Sequence, residues 1–164
     1  WRHRLSHILR WWWALHAIHH TQAQMTLWTD SRNHLLDDVT AGFWFAVIAL
    51  LIGVPPGHFV FLLIVVRTVE NLSHVNARLS FGRLGEQLLV SPRYHRWHHA
   101  IDLPEGWQYR HGCNFAILFP VWDRLFGTYR PEPAEGQETM QVGLEWQDDR
   151  TMRLAWVLTL PFRR

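Results

Sequence analysis

Eight histidines of this 164-residue chain fall into three short boxes: His3-x-x-x-His7, His16-x-x-His19-His20 and His95-x-x-His98-His99. Residues three and four apart lie on one face of a helix, so each box can turn its imidazoles towards a common point. Neutral imidazole is a ligand for iron, copper, nickel and zinc. Eight ligands exceed the four of a single tetrahedral zinc. A ninth, His74, is expected at the end of a later helix on the same side, which makes two metal ions the economical reading. The single cysteine, Cys113, excludes an internal disulfide framework and a Cys-rich zinc fold, leaving nitrogen and oxygen donors. Carboxylate di-iron bundles use Glu-x-x-His pairs, and Glu70 to His74 has one residue too many for that spacing. The site should be dominated by histidine, with no catalytic residue beyond the metal ligands.

The elements that carry these boxes follow from phase and hydropathy. His7 and His16 are nine residues apart, about 900° on a helix, so one straight helix would aim the first two boxes in opposite directions. The helix must break between them. Trp11, Trp12 and Trp13 beside Arg10 suit a membrane–water boundary, so the first box is expected to end a membrane helix and the second to lie along the surface. From Gly42 to Val66 the chain holds no Asp, Glu, Lys or Arg, and Pro55, Pro56 and Gly57 interrupt that tract. Two adjacent prolines remove two amide donors and favour a reversal. A helical hairpin is expected, with arms from about Leu35 to Gly53 and from about His58 to Leu79. Such a hairpin returns the chain to its starting side and sets Arg32, Arg67, Arg78 and Arg83 on the cytoplasmic face. A buried hairpin in a soluble helical protein is the alternative, and the mean hydropathy of -0.12 fits either.

Net charge is only +2 with neutral histidines, and the arginines are scattered along an apolar chain, which argues against nucleic acid as a partner. No Gly-rich phosphate loop supports nucleotide chemistry. The length suits one domain. Because the chain starts at Trp1, it is expected to be part of a longer protein. Pro131 to Glu138 is polar and reads as an exposed loop, Met140 to Trp146 as a short extended stretch, and Thr151 to Phe162 as an amphipathic segment. Asp37 and Asp38 are expected to favour the positive end of a helix dipole, without a catalytic role. Glu70, a turn before His74, is a candidate carboxylate partner for that ring, or a solvated charge. Ser91-Pro92 should open the third box as a helix.

The three boxes, followed by Asn114 to Tyr129 (NFAILFPVWDRLFGTY), closely resemble the fatty acid hydroxylase and sterol desaturase superfamily of integral membrane di-iron enzymes. The resemblance rests on Trp122, Asp123, Phe126, Gly127, Thr128 and Tyr129 as its closing signature, on His74 and Asn76 after the hairpin, and on Arg32 and His34 after the second box. It covers about residues 1 to 130 as a catalytic domain, leaving 131 to 164 as a loop and tail. It implies further membrane helices ahead of the first box. The fold it implies is all-α: an integral membrane helical bundle with a transmembrane hairpin and a cytoplasmic histidine-rich cap. The activity it implies is hydroxylation or desaturation of an unactivated C–H bond of a lipid such as a fatty acyl chain or sterol. The reaction would use O2, two iron ions held by His3, His7, His16, His19, His20, His74, His95, His98 and His99, and an external reductase, cytochrome or ferredoxin-type donor. Zinc could substitute for iron. The alternative is a non-catalytic histidine-rich membrane metal store or carrier. Asp123 is expected to hold the signature turn, His34 to play a supporting or structural part, and His58 to lie at the far end of the hairpin without function. His111 is left open. Gly112-Cys113-Asn114-Phe115 departs from the Asn-Tyr-Gly that relatives often carry, so the substrate stays open too.

Overall fold

The computed structural model describes residues 1–77, 79–101, 112–130 and 141–144. Arg78, His111, the Pro131–Glu138 loop and the amphipathic segment from Thr151 lie outside these. The described residues form seven α-helices: α1 (Arg2–Ile8), α2 (Arg10–His16), α3 (Leu35–Leu51), α4 (Pro56–Ser73), α5 (Gly82–Leu88), α6 (Pro92–His98) and α7 (Val121–Leu125). Two 3-10 turns, His19–Thr21 and Thr29–Ser31, connect α2 to α3. Among the described residues the fold is all-α, with one isolated antiparallel bridge between Ala100 and Val142.

The expected break between the first two boxes falls at Leu9, whose extended backbone (φ −83°, ψ 117°) separates α1 from α2. No proline or glycine marks it. The two short helices fold back against each other, which returns His16 to the neighbourhood of His7. Arg32 then steadies the turn after the second box by donating from Nε to Thr21 Oγ1 at 2.9 Å.

The hairpin forms where the apolar tract is interrupted. His34 caps α3 by accepting the Leu36 amide on its ring at 3.1 Å, and Asp37 and Asp38 occupy the first turn, where carboxylates suit the helix dipole. Gly53 ends the arm at φ +74°, a conformation open to glycine without strain, and Pro56 starts α4 at a position that needs no amide donor. The second arm stops at Ser73, earlier than expected from the sequence. Ser73 Oγ and the His74 ring both take the Glu70 carbonyl, while the His74 and Val75 amides bond three residues back, which unwinds the helix. The arms of 17 and 18 residues span about 26 Å. No helix among the described residues is long and apolar enough to cross a membrane. The expected transmembrane crossing therefore does not follow from the length of the arms. The arms leave Phe43, Leu50, Leu51, Phe61 and Ile64 exposed.

A polar knot holds the closing signature against α6. The Asp123 carboxylate accepts from Tyr94 Oη (2.5 Å), Thr128 Oγ1 (2.5 Å) and the amides of Phe115 (2.9 Å) and Ala116 (2.6 Å). The Asn114 side chain donates to the carbonyls of Tyr94 and Arg130 and accepts the Arg130 amide, while its own backbone takes φ +55°, a region asparagine tolerates better than most residues. Ser91 caps α6 by accepting the Tyr94 amide, with Pro92 in the first turn as expected. From the other side, the Ala100–Val142 bridge and the Gly143 amide bonded to the His99 carbonyl pin the end of the third box.

Replacing Asp123 by Ala would leave two hydroxyls and two amides buried without partners. Each such orphan costs about 1–3 kcal/mol, so Asp123→Ala should lower stability in a denaturant titration by at least about 3 kcal/mol. Cys113 is fully enclosed, and burial, aided by the Asp123 charge, pushes its thiol up to about 12. It should resist iodoacetamide at pH 8 in the folded chain and react once denaturant is added, which mass spectrometry reads directly.

Candidate metal centre

All nine histidines singled out in the sequence come together, in two groups that cut across the boxes. His3, His7, His16, His20 and His98 form one, and His19, His74, His95 and His99 the other. Within each group every residue has a ring nitrogen within 4.8 Å of one from every other member. In the third box, carried by α6, helical geometry is in keeping with the division, and the second box divides in the same way across the end of α2 and the following 3-10 turn. Residues i and i+4 are about 40° apart around a helix, whereas i+3 lies about 60° away on the other side of i. His16 and His20 join one group while His19 between them joins the other, and His95 and His99 join one group while His98 joins the other. The groups adjoin: the rings of His20 and His99 stack with centroids 4.3 Å apart.

The outward nitrogens of several rings are held in ways that fix the tautomer. His3 Nδ1 donates to the Phe115 carbonyl at 2.8 Å, His98 Nδ1 to the Cys113 carbonyl at 2.9 Å and His74 Nδ1 to the Glu70 carbonyl at 2.6 Å. His16 Nδ1 donates to Asp37 Oδ2 at 2.9 Å. A ring that donates from Nδ1 presents a lone pair at Nε2. The Asp123 knot thereby acquires a second purpose, because it fixes the 113–116 backbone whose carbonyls orient His3 and His98.

Four inward nitrogens of the five-histidine group have no hydrogen-bond partner in the protein: Nε2 of His7, His16, His20 and His98, all buried. In the four-histidine group, Nε2 of His74 lies 3.1 Å from that of His19 and 2.9 Å from that of His95, and Nε2 of His99 lies 3.2 Å from that of His95. His74 presents a lone pair there, because its Nδ1 donates to the Glu70 carbonyl, and Nδ1 of His19 and of His95 is buried without a hydrogen-bond partner. Such separations are those of imidazoles sharing one cation at about 2.0–2.1 Å. The residues therefore fit one metal ion in each group, and their nitrogen donors suit first-row transition metals.

A cleft reaches both groups from the foot of the hairpin. Its walls include His3 and His16 of the first group and His19, His74 and His95 of the second, together with Arg2, Asp30, Asp37, Asp38, Arg67 and Glu70. Arg67 binds Asp30 at 3.0 Å and lies 3.6 Å from Asp38 and 3.5 Å from Glu70, tying α4 to α3 and the preceding turn.

Some of the roles expected from the sequence change. The expected partner of His74 is the Glu70 backbone, not its carboxylate, which faces Arg67. Asp37, expected only to stabilise a helix start, is buried and accepts both His16 Nδ1 and Trp12 Nε1. No local spacing announces that contact, because 21 residues separate Asp37 from His16. Asp123 holds the signature turn as expected, His34 serves as a helix cap, and His58 is exposed at the far end of the hairpin. The Asn76 side chain accepts from Arg96 of the third box.

Burial, reinforced by neighbouring imidazoles, drives His3, His7, His19, His20, His95 and His99 well below the ordinary histidine range. Burial pulls His98 down to about 3 and lowers His74 as well. These rings are neutral when folded, whereas in the unfolded chain they take up protons below about pH 6.5. The unfolded state then binds more protons, so stability is full above that pH and falls as pH drops through it, by up to about 1.4 kcal/mol per ring and pH unit. Thermal melts between pH 8 and 5 should be level at the alkaline end and collapse towards pH 5.

With this geometry in place, comparison with known proteins identifies the scaffold. The fatty acid hydroxylase family matches residues 1–128, the stretch that carries all nine histidines and most of the closing signature. The chain is 30% identical over 131 residues to an ornithine lipid hydroxylase of Rhizobium tropici, covering 80% of this chain and 38% of that protein. It is 31% identical over 132 residues to the alkylglycerol monooxygenase of Danio rerio and 30% identical over 132 residues to that of Homo sapiens; each match covers 80% of this chain and 28% of the relative. It thus spans well under half the length of these proteins. No solved structure matches it. The chain belongs to the fatty acid hydroxylase family.

Proposed function

We propose that this chain carries the oxygen-activating centre of a lipid hydroxylase, with two iron ions held by the five- and four-histidine groups. The observation that carries the reading is the convergence of nine buried imidazoles into two adjoining sets, with four inward nitrogens of the five-histidine set left without a hydrogen-bond partner. The similarity to an ornithine lipid hydroxylase and to alkylglycerol monooxygenases supports oxidation of a lipid C–H bond. When bound, the iron pair would supply the oxidising chemistry, drawing on O2 and electrons from an external reductase, cytochrome or ferredoxin-type donor.

The protein's own residues do the rest. The carbonyls of Phe115, Cys113 and Glu70 and the Asp37 carboxylate hold four rings in one tautomer, so their Nε2 lone pairs are set before any ion arrives. The polar cleft at the foot of the hairpin would let small molecules such as O2 reach both groups. The uncovered apolar flanks of α3 and α4 are proposed to sit in the hydrocarbon of a membrane, with the histidine centre and its arginines at the cytoplasmic face. Arms of about 26 Å reach into that layer from one side. Residues 1–130 form the catalytic unit in this reading.

The test is direct. Cells expressing the full-length protein should accumulate a lipid heavier by one oxygen, or lighter by two hydrogens for a desaturase, and the purified protein should bind two irons and consume O2 only with a donor present. His98→Ala removes a ligand of the five-histidine group and should abolish the product. Zinc alone, with no donor-dependent oxygen uptake after iron reconstitution, would instead establish a metal store or carrier.

A further inference from the structure

The two histidine groups differ in what stands behind their ligands. His3, His98 and His74 lean on neutral backbone carbonyls at 2.8, 2.9 and 2.6 Å. His16 leans on a full negative charge: Asp37 Oδ2 lies 2.9 Å from its Nδ1. Among the described residues, Asp37 is the only side-chain carboxylate paired with a ring of either group. It is itself buried, and its other oxygen is taken up by Trp12 Nε1 at 2.9 Å and by Arg2 at 3.5 Å. Asp37 sits in the first turn of α3, whereas its three donors come from α1 and α2. It therefore joins the foot of the hairpin to the element that carries the first two boxes.

We propose that Asp37 is the positioning residue of the five-histidine group and sets the metal affinity of that group independently of its neighbour. The inference rests on the reading of both groups as metal sites. Two effects combine. The carboxylate accepts the Nδ1 proton, so His16 is held as the tautomer whose Nε2 lone pair faces the group. It also places negative charge one ring away from the bound cation, which makes that imidazole a stronger donor than one backed by a carbonyl. The four-histidine group receives no such support, so the two sites differ in strength although both are built from the same residue type. A purely structural role predicts otherwise: loss of Trp12 or of the Asp37 charge would loosen the hairpin foot alike and leave metal affinity untouched or lower it equally at both sites.

The experiment compares wild-type chain with Asp37→Asn and Trp12→Phe, each titrated with Co2+ against a competing chelator and followed by the visible spectrum of the bound ion. Wild type should bind two ions. Asp37→Asn removes the charge at nearly constant shape and should weaken one ion by about 10- to 100-fold, changing its spectrum and leaving the other ion as it was. Trp12→Phe removes a neighbouring hydrogen bond but keeps the carboxylate–imidazole pair; it should lower the melting temperature and retain both ions with the wild-type spectrum. Two wild-type affinities in Asp37→Asn, or equal weakening in both variants, would overturn the proposal. Should Asp37→Asn fail to fold, NMR of the Co2+-loaded wild type decides. A hyperfine-shifted, exchangeable Nδ1 proton on His16 supports the proposal, and His16 bound through Nδ1 refutes it. A wild-type chain that takes up no ion overturns the metal reading itself, whereas a loaded wild type with an indifferent Asp37→Asn overturns this inference alone.

Discussion

The structure is organised around the cost of burying imidazole. A ring nitrogen removed from water needs a partner, and an unpartnered polar atom in a dry interior is penalised by roughly 1–3 kcal/mol. This protein places nine rings in its centre, pairs several outer nitrogens with carbonyls or a carboxylate, and leaves inner ones facing each other. Among the described residues the buried hydrophobic side chains include Trp12, Leu15, Ile18, Val90, Tyr94, Trp97 and Phe115. A centre of this kind gains its stability when cations occupy it, so metal binding and folding are linked thermodynamically.

Each peripheral feature can be traced to that constraint. The break at Leu9 turns the second box back on the first. The end of α4 is shaped by the His74 ring, which takes the carbonyl that would have continued the helix. The signature after Asn114 contributes no ligand. Its part is to immobilise a short backbone stretch through Asp123, so that two carbonyls point at two imidazoles. Residues that touch no candidate ion therefore decide where the ligands point.

Much of the site was legible in the sequence, because histidine spacing reports helical phase directly. The three boxes, the need for a break between His7 and His16, the place of His74 beside them and the reversal at Pro55-Pro56 all follow from residue type and the 100° step of a helix. The assignment of neighbouring histidines to different groups did not, since a shared face says which rings are close and not which far element they meet. The Asp37–His16 pair was hidden for the same reason: it spans separate elements, and a carboxylate in a first helical turn already has an ordinary explanation. Glu70 misled because its side chain has the obvious chemistry, while the atom that serves His74 is a backbone oxygen no residue type reveals. The second arm was drawn too long because residue type gives no sign of a ring that folds inward and takes a helix carbonyl.

The interleaving of His98 between His95 and His99 makes α6 intolerant of changes in length. Removing one residue inside this seven-residue helix would rotate everything beyond the deletion by about 100° and hand each ring to the wrong neighbour.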